Sequence, residues 1–170
     1  MPRYVALLRA VNVGGTGKLP MATLKTMCLD AGFTSVETYI ASGNVVLESR
    51  AAPSRVKAAL EGRLQAYAGK PVAVVVRSAS EMLAVLKANP FPDAEPKFTY
   101  VIFLDDPPPA DTLARVSGRQ DEQVRLGERE IFVHYGSGMG RSKLKIPAAE
   151  RGTARNMNTV AKLAEIASKP

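Results

Sequence analysis

Along the chain the apolar positions change spacing from one segment to the next, and each change predicts a new element. Tyr4 to Val13 reads YVALLRAVNV, an aliphatic and β-branched run stopped by Gly14-Gly15, which predicts a largely buried strand entering a loop. After Pro20, which suits a first helical turn, Met21, Leu24, Cys28 and Ala31 recur at helical spacing until Gly32 closes the segment. Val36 to Ala41 and Val45 to Glu48 are strand-like runs on either side of Ser42-Gly43-Asn44, a hairpin signal because Gly and Asn tolerate positive φ. Pro53 to Tyr67 carries Val56, Leu60, Leu64 and Tyr67 on one stripe, and the Gly69-Lys70-Pro71 break hands over to a buried strand, Val72 to Arg77. The predicted order is βαββαβ.

The second half opens on a capping signature, Ser78 with Glu81 three residues later, and a short helix that ends before Asn89-Pro90-Phe91-Pro92. Lys97 to Leu104 reads as a strand, Thr112 to Val116 as a short helix, and Gln123 to Leu126 and Ile131 to Tyr135 as strands around a Gly127-Glu128 turn. Two helical segments follow, the last carrying Val160, Leu163 and Ala167 on one face. This gives βαββα, so the pattern predicts an α+β protein of two repeats, residues 1–78 and 79–170. Each repeat is expected to have an antiparallel sheet with helices packed on one face. The two halves share no obvious sequence period, so the duplication is one of architecture.

Composition narrows the picture little. With 46% hydrophobic and 23% charged residues the chain is an ordinary globular one, and no run approaches the roughly 20 apolar residues of a membrane span. One Cys and one His exclude a disulfide framework and a Cys/His metal cluster, so neither metal nor cofactor is expected and a reducing compartment is implied. Met1-Pro2-Arg3 leads straight into the first apolar run without a cleavage-site pattern, which predicts a cytoplasmic protein without a membrane partner.

Charge is more informative. The net charge is +7, and five of those seven positive charges lie in Gly136 to Pro170, where seven basic residues face two acidic ones. An anion or nucleic-acid footprint and a merely solubilising face both fit this bias. Gly140-Arg141-Ser142-Lys143 is the best candidate cradle: glycine permits close backbone approach, Ser142 can donate, and Arg141 offers a planar fork matched to phosphate oxygens. A flexible hairpin exit explains the same residues. Arg155, Asn156 and Asn158 precede or open the last helix, where they can meet an anion or simply cap the helix. If the segment is a ligand site, Arg141, Ser142, Lys143, Arg155 and Asn156 should converge on one pocket.

Gly14-Gly15-Thr16-Gly17-Lys18, between a strand and a helix, is a second place where backbone N–H groups can meet phosphate, or else a plain connector. It is not a Walker A loop, since Asn12 and Leu19 stand where that motif needs Gly and Ser or Thr. Strand alternation places Arg9 on the face of Val5, Leu7, Val11 and Val13, which predicts a buried guanidinium paired with a carboxylate such as Glu48 or with an anionic ligand. Cys28 on its apolar stripe and His134 inside a strand read as structural, and Asp105 and Asp106 should point to opposite faces. No catalytic residue is identifiable by spacing.

Five ordered stretches, taken together, carry a resemblance. Leu7-Leu8-Arg9-Ala10-Val11-Asn12-Val13-Gly14-Gly15, Tyr39-Ile40-Ala41-Ser42-Gly43-Asn44-Val45-Val46, Asn89-Pro90-Phe91, Gly140-Arg141-Ser142-Lys143-Leu144 and Arg155-Asn156-Met157-Asn158-Thr159-Val160 are similar to the bacterial family known as domain of unknown function 1697 (DUF1697). The chain departs from that pattern at Ala10, Met139 and Met157, where Gly, Tyr and Trp are expected. The resemblance implies two ferredoxin-like-type repeats in one compact unit, and it carries no activity or catalytic residues with it. The reading that results is a small cytoplasmic protein that binds a phosphorylated or other anionic small molecule through Arg9, Asn12, Gly14, Gly15, Ser42 and Asn44 and the carboxyl-terminal Gly140, Arg141, Ser142, Lys143, Arg155, Asn156 and Asn158. The alternatives are sequence-nonspecific nucleic-acid binding and, third, a phosphoryl-transfer or hydrolytic enzyme that works by positioning.

Overall fold

A computed structural model describes residues 1–12 and 18–169. The chain divides into two units, Met1–Leu83 with Leu163–Pro170, and Ala84–Lys162. Leu163–Pro170 go with the first unit, where the Arg3 guanidinium donates to the carbonyl of Ile166 at 3.1 Å.

The first unit runs β1 (Arg3–Leu8), α1 (Met21–Asp30), β2 (Thr34–Thr38), β3 (Asn44–Glu48), α2 (Pro53–Ala68) and β4 (Val74–Ser78), followed by α3 (Ala79–Lys87), which continues into the second unit. Its sheet has the order β2-β3-β1-β4 with every neighbouring pair antiparallel. Register places Tyr4, Ala6 and Leu8 on one face with Val45 and Leu47 of β3 and Val74 and Val76 of β4. Leu24 and Cys28 of α1 and Val56, Leu60 and Leu64 of α2 close over that face, as their helical spacing requires. Removing each of these leucines from water contributes about 1.5–3 kcal/mol. A reciprocal capping box begins α3, with the Ser78 hydroxyl accepting from the Glu81 N–H at 3.1 Å and the Glu81 carboxylate accepting from the Ser78 N–H at 2.8 Å.

In the second unit β5 (Thr99–Phe103), β6 (Gln123–Leu126), β7 (Glu130–His134) and β8 (Thr153–Asn156) form an antiparallel sheet in the order β6-β7-β5-β8, the same arrangement again. Here the crossovers carry 3-10 turns, Leu113–Arg115 before β6 and Met139–Arg141 and Pro147–Arg151 before β8, rather than long helices. Ile102, Leu104, Val124, Ile131 and Val133 pack with Ile146 from the second crossover. The chain closes on α4 (Met157–Ala167), whose Val160 and Leu163 are buried. The fold is therefore a mixed α and β protein with two four-stranded antiparallel sheets and four α-helices among the described residues.

Two sequence expectations fail here. The first strand stops at Leu8 instead of Val13, because Ala10 and Asn12 both take φ of +55° and turn the chain out of the sheet. Arg9 therefore leaves the strand face and is exposed. The buried cation of this unit is Arg77 on β4, 1% exposed, opposite Val5 in the register and bonded to the Val76 carbonyl at 3.3 Å. The second failure is β8, a polar strand that the pattern reads as the approach to a helix. It pairs with β5 and places Arg155 opposite Val101, the third residue of that strand, as Arg77 lies opposite the third residue of β1. Both repeats thus end in a buried arginine followed directly by a helix-capping residue, Ser78 or Asn156.

Candidate functional site

The turn that exposes Arg9 also builds the site. Leu8 N–H donates to the Gly43 carbonyl at 2.9 Å, and Arg9 N–H to the Ala73 carbonyl at 3.0 Å, so the exit of β1 is held from both sides. Gly43 has φ +90°, and a Cβ there would lie 2.5 Å from Val11 Cγ2, so only glycine admits this approach. Asn12 then acts as a clamp: Nδ2 donates to the carbonyls of Leu19 at 2.9 Å and Ala41 at 2.8 Å, and Oδ1 accepts from Leu19 N–H at 2.7 Å. Asn44, fully buried, donates from Nδ2 to the Tyr39 carbonyl at 2.9 Å and to Ser42 Oγ at 2.8 Å. Asn12, Ser42 and Asn44 therefore bond to the chain itself and shape the two loops.

Beside this clamp lies a cleft of about 910 Å³ lined by Arg9, Ala10 and Val11, by Lys18 and Leu19, and by Leu64, Tyr67, Ala68 and Lys70 to Ala73. Three cations face it and no carboxylate lines it among the described residues. Among the described residues Arg9, Lys18 and Lys70 make no side-chain hydrogen bond or salt bridge, and no carboxylate lines the cleft to offset their charge. Residues 18 and 19 lead into α1, whose N-terminus has no side-chain cap and no acidic residue in its first turn. That end of the helix adds a positive potential. Gly14 and Gly15 lie outside the described residues.

The carboxyl-terminal candidates are differently employed. Ser142 Oγ donates to Glu122 Oε2 at 2.7 Å, and Glu122 Oε1 accepts from Gln120 N–H at 2.6 Å. Those two bonds hold the Glu122 carboxyl below its ordinary value. Ser117 and Lys145 exchange backbone hydrogen bonds of 3.0 and 2.8 Å, and the Glu122 side chain is buried. Arg141 and Lys143 are exposed, and Gly140 has open space around it. Arg155 is buried in the sheet, donates to Thr153 Oγ1 at 2.6 Å and the Ala154 carbonyl at 2.9 Å, and burial pushes its guanidinium down to about 10. Asn156 Oδ1 accepts from Thr159 N–H at 2.9 Å and caps α4, while Asn158 is exposed on its first turn. None of these residues lines the 910 Å³ cleft.

A smaller cleft of about 390 Å³ in the second unit is lined by residues that include Asp105, Asp106, Glu150 and Arg151. Asp105 and Asp106 follow the end of β5, where extended alternation no longer applies. Among the described residues no group of three or more His, Cys, Asp or Glu side chains is placed to hold a metal. Cys28 is buried and its thiol pushed up to about 12, as suits a core residue. His134 packs 6.0 Å from the Phe91 ring, which the Asn89 side chain fixes by accepting from Phe91 N–H at 2.9 Å.

Lys70 and Tyr67 are the site residues that the sequence does not reveal, for α1, β2, β3 and α2 lie between Arg9 and Lys70, and Tyr67 is at the far end of α2. The only hint is Tyr67, which ends the α2 stripe yet is 49% exposed where Val56, Leu60 and Leu64 are buried.

Fold and cleft together define a two-sheet α+β protein with a cation-lined hollow in its first repeat. The chain belongs to DUF1697, a family described as protein of unknown function, whose model matches residues 1–132. It is similar to a conserved bacterial protein from Streptococcus pneumoniae, with a TM-score of 0.82 and 25% sequence identity over 98% of this chain and 99% of that one. Among curated proteins none matches. No helix of the described residues is long and apolar enough to cross a membrane.

Proposed function

We propose that the cleft of the first unit binds a phosphorylated or otherwise anionic small molecule. The observation that carries this reading is the convergence of Arg9, Lys18 and Lys70 on one hollow of about 910 Å³ without a carboxylate among its described lining residues. Chance solubilising charge has no reason to gather in a concavity, and the volume lies in the range of small-molecule pockets. Each charged hydrogen bond to an anion contributes about 1.5–3 kcal/mol. The described lining residues include no carboxylate or histidine to serve as a general base, which favours binding over catalysis. Of the residues expected from sequence, the reading keeps Arg9 and leaves out the carboxyl-terminal set, none of which lines this cleft.

Amide-resolved NMR titration of the full chain with inorganic phosphate, phosphosugars, nucleotides and short oligonucleotides tests it. Shifts should centre on Arg9 to Val11 and Lys70 to Ala73, and Arg9→Ala and Lys70→Ala should each weaken binding about tenfold or more, whereas Arg141→Ala should not. Loss of binding in Arg141→Ala alone would return the site to the basic carboxyl-terminal segment. A steep fall of affinity with salt, seen only for oligonucleotides, would favour the nucleic-acid reading instead.

A further inference from the structure

The same cleft also discriminates between anions. Its described lining contains no Asp, Glu, Asn, Gln, Ser or Thr, and its one side-chain hydroxyl belongs to Tyr67. Among the described lining residues only the Tyr67 hydroxyl can both donate to and accept from sugar hydroxyls, since the cations there only donate. The walls are instead Leu19, Leu64 and Val72 with the ring of Tyr67. That ring is 49% exposed at the end of α2, two residues before Gly69 turns the chain with φ +73°. An exposed aromatic ring beside cations that no described lining carboxylate offsets is a surface for a flat apolar body that carries a negative group.

Resting on the anion reading above, we propose that the ligand is an aromatic anion, its ring against Tyr67 and its charge on Arg9, Lys18 and Lys70, and not a phosphosugar. A cleft of about 910 Å³ has room for a ring as well as its charged group. The three cations supply attraction to any anion, so selectivity among anions comes from the apolar wall.

The test compares phenyl phosphate, glucose 6-phosphate and inorganic phosphate on the full chain by calorimetry or NMR titration. Phenyl phosphate should bind about tenfold or more tightly than the other two, a preference within the reach of one ring–ring contact. Tyr67→Ala should erase most of that preference, Tyr67→Phe should keep it, and Arg9→Ala should weaken all three ligands together. Equal affinities for the three phosphates would overturn the aromatic inference and leave the anion reading standing. So would a preference that survives Tyr67→Ala. Binding of none of them, with no shifts at Arg9 or Lys70, would overturn both.

Discussion

Asn12 is where the loop geometry can be tested most directly. Its side chain makes three hydrogen bonds, at 2.9, 2.8 and 2.7 Å, to Leu19 and Ala41. A typical net contribution is about 0.5–1.5 kcal/mol per bond, and the residue is exposed, so water replaces part of what is lost. The low end applies, and removing all three should cost about 1.5–2 kcal/mol. Asn12 also has φ +55°, a conformation that costs Ala more than Asn, which adds about 1 kcal/mol to Asn12→Ala but not to Asn12→Gly. Denaturant unfolding should therefore place Asn12→Gly about 1.5–2 kcal/mol below the parent and Asn12→Ala about 1 kcal/mol lower still. The Leu19 amide donates to Asn12 Oδ1, so its hydrogen exchange, followed by NMR, should speed up in both variants. If both variants stay within about 0.5 kcal/mol of the parent and the Leu19 amide keeps its protection, the clamp is not what holds these loops.

Three further substitutions probe separate parts of the argument. Ala10→Gly should raise stability by about 0.5 kcal/mol, since relief of a left-handed alanine at φ +55° exceeds the entropy glycine adds to the unfolded chain; a lower melting temperature would contradict this. Asn156→Ala should cost about 1 kcal/mol by uncapping α4 while anion binding persists, and loss of that binding would make Asn156 a ligand residue after all. The Glu122 carboxyl is held below its ordinary value of 4.5, so it binds its proton less readily folded than unfolded. Its contribution is complete above that value and declines as pH falls through the folded pKa. Glu122→Gln should flatten the acid limb of a stability–pH curve, and an unaltered limb would show that the bonds from Gln120 and Ser142 are not the cause.

Local pattern alone determined a good deal of this protein. The stripes Leu24–Cys28 and Val56–Leu60–Leu64 and the Ser78–Glu81 capping box are legible because helical spacing and capping depend on residues three or four apart. The division into two antiparallel repeats follows from the order of such segments. What depends on pairing between distant residues is not legible. The strand Thr153–Asn156 is polar, and it becomes a strand only because Tyr100 to Phe103 offer it hydrogen bonds across the sheet. Arg9 looks buried by alternation, yet a backbone turn at Ala10 exposes it, while Arg77, one residue from the end of its strand, takes the buried place beside Val5. The carboxyl-terminal charge is conspicuous in sequence because its residues are neighbours there. Arg9, Lys18, Tyr67 and Lys70 become neighbours only when α2 ends against the loops that follow β1 and precede α1, and no spacing rule spans that distance.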